Sequence, residues 1–331
     1  MRLRCLLLLM LLLLRSHAQT TAPEALRFRV MSYNAENLFD CLDDSLKADE
    51  EFLPEAPRHW HRQRYWRKLD HVARVIAAVG EESMPALVGL CEVESDTVLT
   101  DLTRRSPLRR AGYRYLMTHS PDLRGINVAL LYQPEHFRPL THASLRIHGP
   151  RPTRDILYVS GLLPNRDTLD LFIVHLPSKL GGARSTLPFR LDAARLLKQA
   201  ADSVARQRLH PHLLLMGDFN DTEQSQVLQF LTTDDSLRPL IQRQELPRQT
   251  PGSYQYQGRW QLIDHLLGSP TLFLPDARLR LQAAGVLALP FLLAPDPKHG
   301  GLRPHRTYQG YRYEGGYSDH LPLWAEFHLH F

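Results

Sequence analysis

A single α/β domain with two packed mixed β-sheets flanked by helices is the fold class this sequence predicts. The prediction rests on three features: short apolar runs recur along the whole chain, amphipathic helical stretches lie between only some of them, and one turn joins two neighbouring runs as a hairpin. A hairpin alongside crossover connections argues against a purely parallel sheet.

The strand-like runs are Leu26–Asn34, Leu87–Glu92, Ile126–Tyr132, Leu157–Leu163, Leu169–His175, His212–Asp218, Trp260–Leu267 and His320–His328. Most are rich in Leu, Val and Ile, as buried strands are. Tyr65, Leu69, Val72, Ile76 and Val79 recur at helical spacing and mark one face of a helix ending at Gly80. Val98, Leu99 and Leu102 mark a second helix, with Ser95 placed to cap its N-terminus. Leu191, Ala194, Leu197 and Ala201 mark a long third helix. A fourth starts after Asp221 and runs through Val227 and Leu228. Pro164-Asn165-Arg166-Asp167-Thr168 reads as the hairpin turn. From Ala294 to Tyr317 the chain is rich in Pro, Gly, Arg and Tyr without periodicity, and so long an irregular segment is either functional or disordered. No internal repeat or low-complexity linker divides the chain, so the domain is expected to span residues 26–331.

Residues 1–18 stand apart from the fold. Arg2 and Arg4 precede an apolar run from Cys5 to Leu14, and Ser16-His17-Ala18 supplies small residues at a cleavage site. This is the layout of a secretory signal peptide, and the run is short for a bilayer span. The mature chain is expected to be secreted or periplasmic, monomeric and without a stable membrane anchor. Loss of three signal-peptide arginines takes Lys+Arg from 40 to 37 against 35 Asp+Glu. The formal charge is then about +2 rather than +5, weak grounds for a nucleic-acid-binding field. Cys41 and Cys91 remain and could pair in an oxidising compartment, but the sequence does not place them together. No cysteine or histidine spacing suggests a zinc site.

Chemistry is signalled by where polar residues fall. Apolar strands end abruptly at Asn34, with Glu36 and Asn37 close behind; at Glu92; at His175; and at Asp218, with Asn220 two residues on. Leu262-Ile263 runs into Asp264, and Asp319-His320 opens the last strand. Charged groups at the rim of buried strands need partners. If they converge, they form a pocket of carboxylates, amides and imidazoles, and its oxygen donors suit Mg²⁺, Mn²⁺ or Ca²⁺. Such a pocket meets the needs of phosphoester hydrolysis: a cation to neutralise charge, a histidine held by a carboxylate for proton transfer, and further donors for the phosphate oxygens.

Asn34, Gly-Leu-Cys-Glu92-Val, His175-Leu-Pro-Ser, Gly-Asp218-Phe-Asn220-Asp, Ile-Asp264-His and Ser-Asp319-His320 stand in an order that resembles the endonuclease/exonuclease/phosphatase superfamily. Arg124-Gly-Ile-Asn-Val-Ala-Leu-Leu-Tyr is similar to the family's central strand, and the likeness spans about residues 28–328. The resemblance implies a DNase I-like four-layer sandwich and a metal-dependent phosphoesterase. It makes Glu92 the principal metal ligand, assisted by Asn34 and Asp319, with Glu36 where some repair nucleases place another acid. It makes Asp218 and Asn220 position the water and phosphate, His320 a general base or phosphate contact oriented by Asp264, and His175 a second imidazole. The presence of His175 and the signal peptide leans away from abasic-site repair. Asn-Ala-Glu-Asn-Leu-Phe-Asp40, followed by Asp43-Asp44, looks like a secreted bacterial subgroup.

Other polar residues read more plainly. His265 should point away from Asp264's face. Glu94 reads as an outer or surface acid, and Asn220-Asp221-Thr222 as a chance sequon. Among Lys179, Arg184, Arg190, Arg303, Arg306 and Arg312, one or two fit a phosphate contact and the rest solvated charges. Substrate stays open: a phosphodiester, nucleic acid included; a phospholipid or inositol phosphate; or, with chemistry lost, a binding module.

Overall fold

The structure, a computed structural model, describes residues 25–331, and the expected signal peptide at 1–18 lies outside the described residues. In chain order the elements are β1 (Leu26–Leu38), α1 (Arg62–Gly80), β2 (Leu87–Val93), α2 (Asp96–Thr100), β3 (Arg114–Met117), β4 (Asn127–Tyr132), β5 (Arg138–Leu145), β6 (Ile156–Leu162) and β7 (Thr168–His175). Then come α3 (Leu187–Arg206), β8 (His212–Asp218), α4 (Gln226–Thr232), β9 (Arg238–Pro239), β10 (Tyr254–Tyr256), β11 (Arg259–Gln261), β12 (Asp264–Gly268) and β13 (Leu279–Val286). The chain closes with β14 (Leu293–Pro295), β15 (Leu302–Pro304), β16 (Tyr308–Gln309), β17 (Arg312–Tyr313) and β18 (Leu323–Leu329).

Two six-stranded sheets carry the fold, in the orders β13-β18-β1-β2-β4-β3 and β5-β6-β7-β8-β12-β9. Each is mixed and has one parallel pair at its centre, β1 with β2 and β7 with β8. Parallel neighbours end at the same edge, so the C-terminal residues of all four central strands can gather at one rim. The inner faces pack through Val30, Leu130, Leu171 and Met216, all in one continuous core. α3 and α4 cover the outside of the second sheet, where Phe172, Leu197, Leu215 and Val227 form a separate apolar layer. α1 buries Tyr65, Leu69, Val72, Ile76 and Val79 against the first sheet, on the face the spacing predicts, and ends at Gly80.

Local chemistry explains the boundaries. Ser95 caps α2 by accepting the N–H of Val98, and Ser225 does the same for α4 through Leu228. The β6–β7 hairpin turns on Asn165, whose Oδ1 accepts the N–H of Asp167, followed by Arg166 in the left-handed region at φ 68°. The irregular stretch from Ala294 to Tyr317 is ordered into two small ribbons, β14–β15 and β16–β17. Their strands are too short to register as a period. Cys41 and Cys91 are both free thiols, and buried Cys91 donates to the carbonyl of Val174 in the facing sheet. No helix among the described residues is long and apolar enough to cross a membrane.

Candidate active site

The site begins as a row across the second sheet. Register pairs His175 of β7 with Asp218 of β8, and Asp218 with Asp264 of β12. Gly217 makes the row possible. Its φ is 142°, and a Cβ there would lie 1.9 Å from the carbonyl oxygen of Val174, so no side chain fits between the strands. The preference for glycine before Asp218 is thus a demand of close backbone approach.

Asp264 is buried and accepts Ser253 Oγ–H at 2.6 Å, while its Oδ2 lies 2.7 Å from His320 Nδ1. His320 therefore turns Nε2 toward the cleft, 3.9 Å from Asp218 Oδ2 and 3.9 Å from Asp319 Oδ1. Burial opposes a charge on this ring, but Asp264, then Asp319 and Asp218, overcome it and hold the imidazole well above its usual range. His175 is the opposite case. Its Nε2 lies 3.4 Å from Asp218 Oδ2, and its buried Nδ1 has no hydrogen-bond partner among the described residues. Burial, reinforced by Arg154 and Arg124, holds it well below the usual range, so it stands neutral.

The first sheet meets this row edge on. Asn34 at the end of the β1 pairing donates Nδ2–H to Asp218 Oδ2 at 3.1 Å and accepts the N–H of Glu36. Glu92 takes the N–H of Asn37 on Oε2 at 2.8 Å and places Oε1 4.0 Å from His175 Nε2. Asn220 donates its backbone N–H to Asp218 Oδ1 and its side chain to the carbonyl of Leu176. Glu36, Asn37, Glu92 and Asn220 all adopt positive φ, between 51° and 63°. Such backbone costs about 1–3 kcal/mol for each non-glycine residue and clusters where function demands it.

Glu36 and Asp319 lie beside the row but are differently held. Arg306 bridges them, with Nε 3.1 Å from Glu36 Oε1 and Nη2 3.0 Å from Asp319 Oδ2. Glu36 Oε2 accepts the N–H of Thr307 at 2.6 Å and lies 4.0 Å from the buried ammonium of Lys68. Lys68 donates to Thr307 Oγ1 and the carbonyl of Tyr317. Glu36 thus has two cations of the protein beside it, although burial and Asp319 still raise its carboxyl above the usual range. Lys68 and Ser253 escaped sequence reading. Lys68 carries a usable signal, since it stands three residues after Tyr65 and four before Val72, on the apolar face of α1. Ser253 carries none.

Of the loop cations, Arg306 is the one at the site. Lys179 and Arg190 hold Asp221, and Arg303 and Arg312 hold Glu314. His265 turns outward to the carbonyl of Asp221. Glu94 accepts the N–H of Asp40, and burial pushes its carboxyl up to about 8.

The donor set fits a divalent cation. Among the described residues no Lys or Arg pairs with Glu92 or Asp218. Burial, then Asp264, push Asp218 up to about 7 against the opposing pull of His320, as befits a carboxyl buried beside other acids. Asp218, Asp264 and His320 offer ligand-type atoms within 4.8 Å of one another. Asp264 and His320 Nδ1 are spent on each other, however, which leaves the oxygens of Glu92, Asn34 and Asp319 as the other donors near the row.

Two mixed sheets packed face to face, with acids, amides and imidazoles at the rim of their parallel centres, define the DNase I-like class of phosphoester hydrolases. The chain belongs to the Endonuclease/Exonuclease/phosphatase family, whose model matches residues 29–329, and it is a hydrolase acting on phosphoester bonds. Similar solved structures include an endonuclease/exonuclease/phosphatase family protein from Bacteroides thetaiotaomicron, with 15% identity, TM-score 0.58 and coverage of 92% of this chain and 96% of that one. A mannosyl-6-phosphatase from the same organism shares 16% identity at TM-score 0.58, covering 91% and 99%. TDP2 from Caenorhabditis elegans shares 16% at TM-score 0.60, covering 95% and 79%. At these identities the likeness is one of fold. No curated protein matches the sequence.

Proposed function

We propose that the protein is a secreted, divalent-cation-dependent phosphoesterase that cleaves phosphodiester bonds by attack of water. The observation carrying this reading is the His175–Asp218–Asp264 row closed by His320, with Nδ1 fixed by Asp264 and Nε2 turned into the cleft. Glu92 and Asn34, with Asp319, would hold Mg²⁺, Mn²⁺ or Ca²⁺, which supplies charge neutralisation at the phosphate and stabilisation of the leaving oxygen. Asp218, itself held by Asn34 and Asn220, orients the water. His320 and Asp264 form the acid–base pair, exchanging the proton at Nε2. Neutral His175 and the Asn220 amide are the donors for non-bridging oxygens.

The test is hydrolysis of bis-p-nitrophenyl phosphate and plasmid DNA with Mg²⁺ or Mn²⁺, before and after thorough EDTA treatment. Turnover that EDTA abolishes and added cation restores is expected. Turnover that persists in EDTA would overturn the reading. The Leu287–Leu293 stretch packs on the core rather than forming an exposed apolar loop, so a lipid substrate gains no observation of its own. Export is supported by the N-terminal sequence, and N-terminal sequencing of the exported chain should begin at Gln19.

A further inference from the structure

A buried ion cluster lies beside the catalytic row without belonging to it. Asp221 follows Asn220 in the chain and is 1% exposed. Its Oδ1 lies 2.9 Å from Lys179 Nζ, its Oδ2 pairs with Arg190 Nη1, and its carbonyl oxygen lies 2.8 Å from His265 Nε2. We propose that Asp221 is a positioning residue: it locks the left-handed turn at Asn220 and so aims the Asn220 amide at the phosphate. The proposal rests on the phosphoesterase reading above and adds one residue to its machinery.

The cluster ties down what the site needs held. Asn220 has φ 55°, a conformation that is costly for a residue with a side chain and persists only where its surroundings hold it. On one side its N–H goes to Asp218 Oδ1 at 2.8 Å and its Nδ2 to the carbonyl of Leu176 at 2.9 Å. Asp221 supplies the other side. Lys179 reaches it from the loop after β7, the strand that ends at His175. Arg190 reaches it from α3 and also grips that loop, with Nη2 2.7 Å from the carbonyl of Ala183 and Nε 3.3 Å from Thr186 Oγ1. His265 reaches it from β12, one residue past Asp264. Three segments thus close on one residue, and Asn220 is its neighbour in the chain.

Charge decides what kind of role this is. Both carboxylate oxygens face cations of the protein and the group is closed to solvent, so Asp221 itself touches neither substrate nor a cation from the medium. Stability alone does not call for it. Phe219 and Val227, on either side in the chain, belong to the apolar layer under α3 and α4. In such surroundings a well-packed apolar side chain often serves stability as well as a buried ion pair does. Charge-assisted hydrogen bonds differ from apolar packing in being directional, and they fix the angle between partners as well as the distance. Direction is what an amide aimed at developing negative charge requires.

The experiment measures kcat and KM for bis-p-nitrophenyl phosphate in Mg²⁺ for the wild-type chain, Asp221→Asn and Lys179→Gln, each variant also combined with Asn220→Gly. Asn220→Gly removes the amide and suits the positive φ. The Lys179 side chain is 38% exposed, and Arg190 still pairs with Asp221 when it is changed, so Lys179→Gln decides the question if Asp221→Asn does not fold. Asp221→Asn should lower kcat about tenfold and Lys179→Gln about fivefold, with KM within about twofold of wild type. Combined with Asn220→Gly, both losses should shrink to under about twofold, because the amide they act through is gone. Losses of equal size in both backgrounds, a change in KM without one in kcat, or no loss in either single variant would overturn the proposal. If the wild type leaves the ester intact, the phosphoesterase reading fails and hydrogen exchange at the Asn220 N–H decides, measured against core amides of β8 in the same variant. Both single variants should speed that exchange about tenfold relative to the core. An unchanged ratio would end the positioning role.

Discussion

The two ends of the candidate site carry similar buried acids, Glu36 and Asp218 both raised above their usual range by burial, but with different partners. At one end Glu36 and Asp319 are matched by Arg306, with Lys68 buried behind them. At the other, among the described residues, Glu92 and Asp218 face two imidazoles, one of them neutral, and no Lys or Arg. At the matched end the protein supplies cations of its own. At the unmatched end no Lys or Arg pairs with Glu92 or Asp218 among the described residues, and the proposed cation would sit there. Clustered carboxylates alone would not distinguish the two; the location of the protein's own cations does.

The comparison can be broken most sharply at the unmatched end. His320→Ala should lower kcat by about 10²–10⁴, the usual worth of positioned proton transfer. A loss under tenfold would remove His320 from the acid–base role. At the matched end the large effect should be on folding. Lys68→Met strips a buried cation from Glu36 and should cost about 3–5 kcal/mol in urea unfolding. A neutral result would mean the Lys68 ammonium does not compensate Glu36. Glu92→Gln should weaken the apparent Mg²⁺ affinity by at least roughly 10–100-fold, the scale reported even for outer partners of a metal site. Unchanged Mg²⁺ titration midpoints would move the cation elsewhere in the cleft.

The smallest effect is a pH dependence. Asp218 titrates near 7 in the folded chain against an ordinary 3.8. The folded state therefore holds this proton more tightly than the unfolded state. The resulting stability is full below 3.8 and is lost as pH rises toward 7. A cation relieves the ionised carboxylate, so Mg²⁺ should raise Tm by roughly 2–4 °C more at pH 8 than at pH 5. Asp218→Asn should flatten that difference, and equal Mg²⁺ shifts at both pH values would contradict it.

Much of the fold could be read from the chain because central strands and amphipathic helices write their burial into periodicity. α1 stops at Gly80 and α2 is capped by Ser95, both as spacing and capping chemistry predict. The edge strand β5 was not legible. Arg138–Leu145 is largely exposed and mixes Pro, Thr, His and Ser, so no buried face marks it. β14 to β17 were read as irregular because two- and three-residue strands are defined by partners rather than by pattern.

The sequence by itself determined which polar residues flank the buried strands, because an acid, amide or imidazole at the edge of an apolar run is a local fact. It therefore reached Asn34, Glu92, His175, Asp218, Asp264 and His320 without coordinates. Only the tertiary structure decided which of the acids have cations of the protein beside them. Lys68 comes from a helix and Arg306 from a loop near the far end of the chain. Electrostatic compensation depends on distances of a few ångströms, which no one-dimensional spacing across some hundreds of residues encodes.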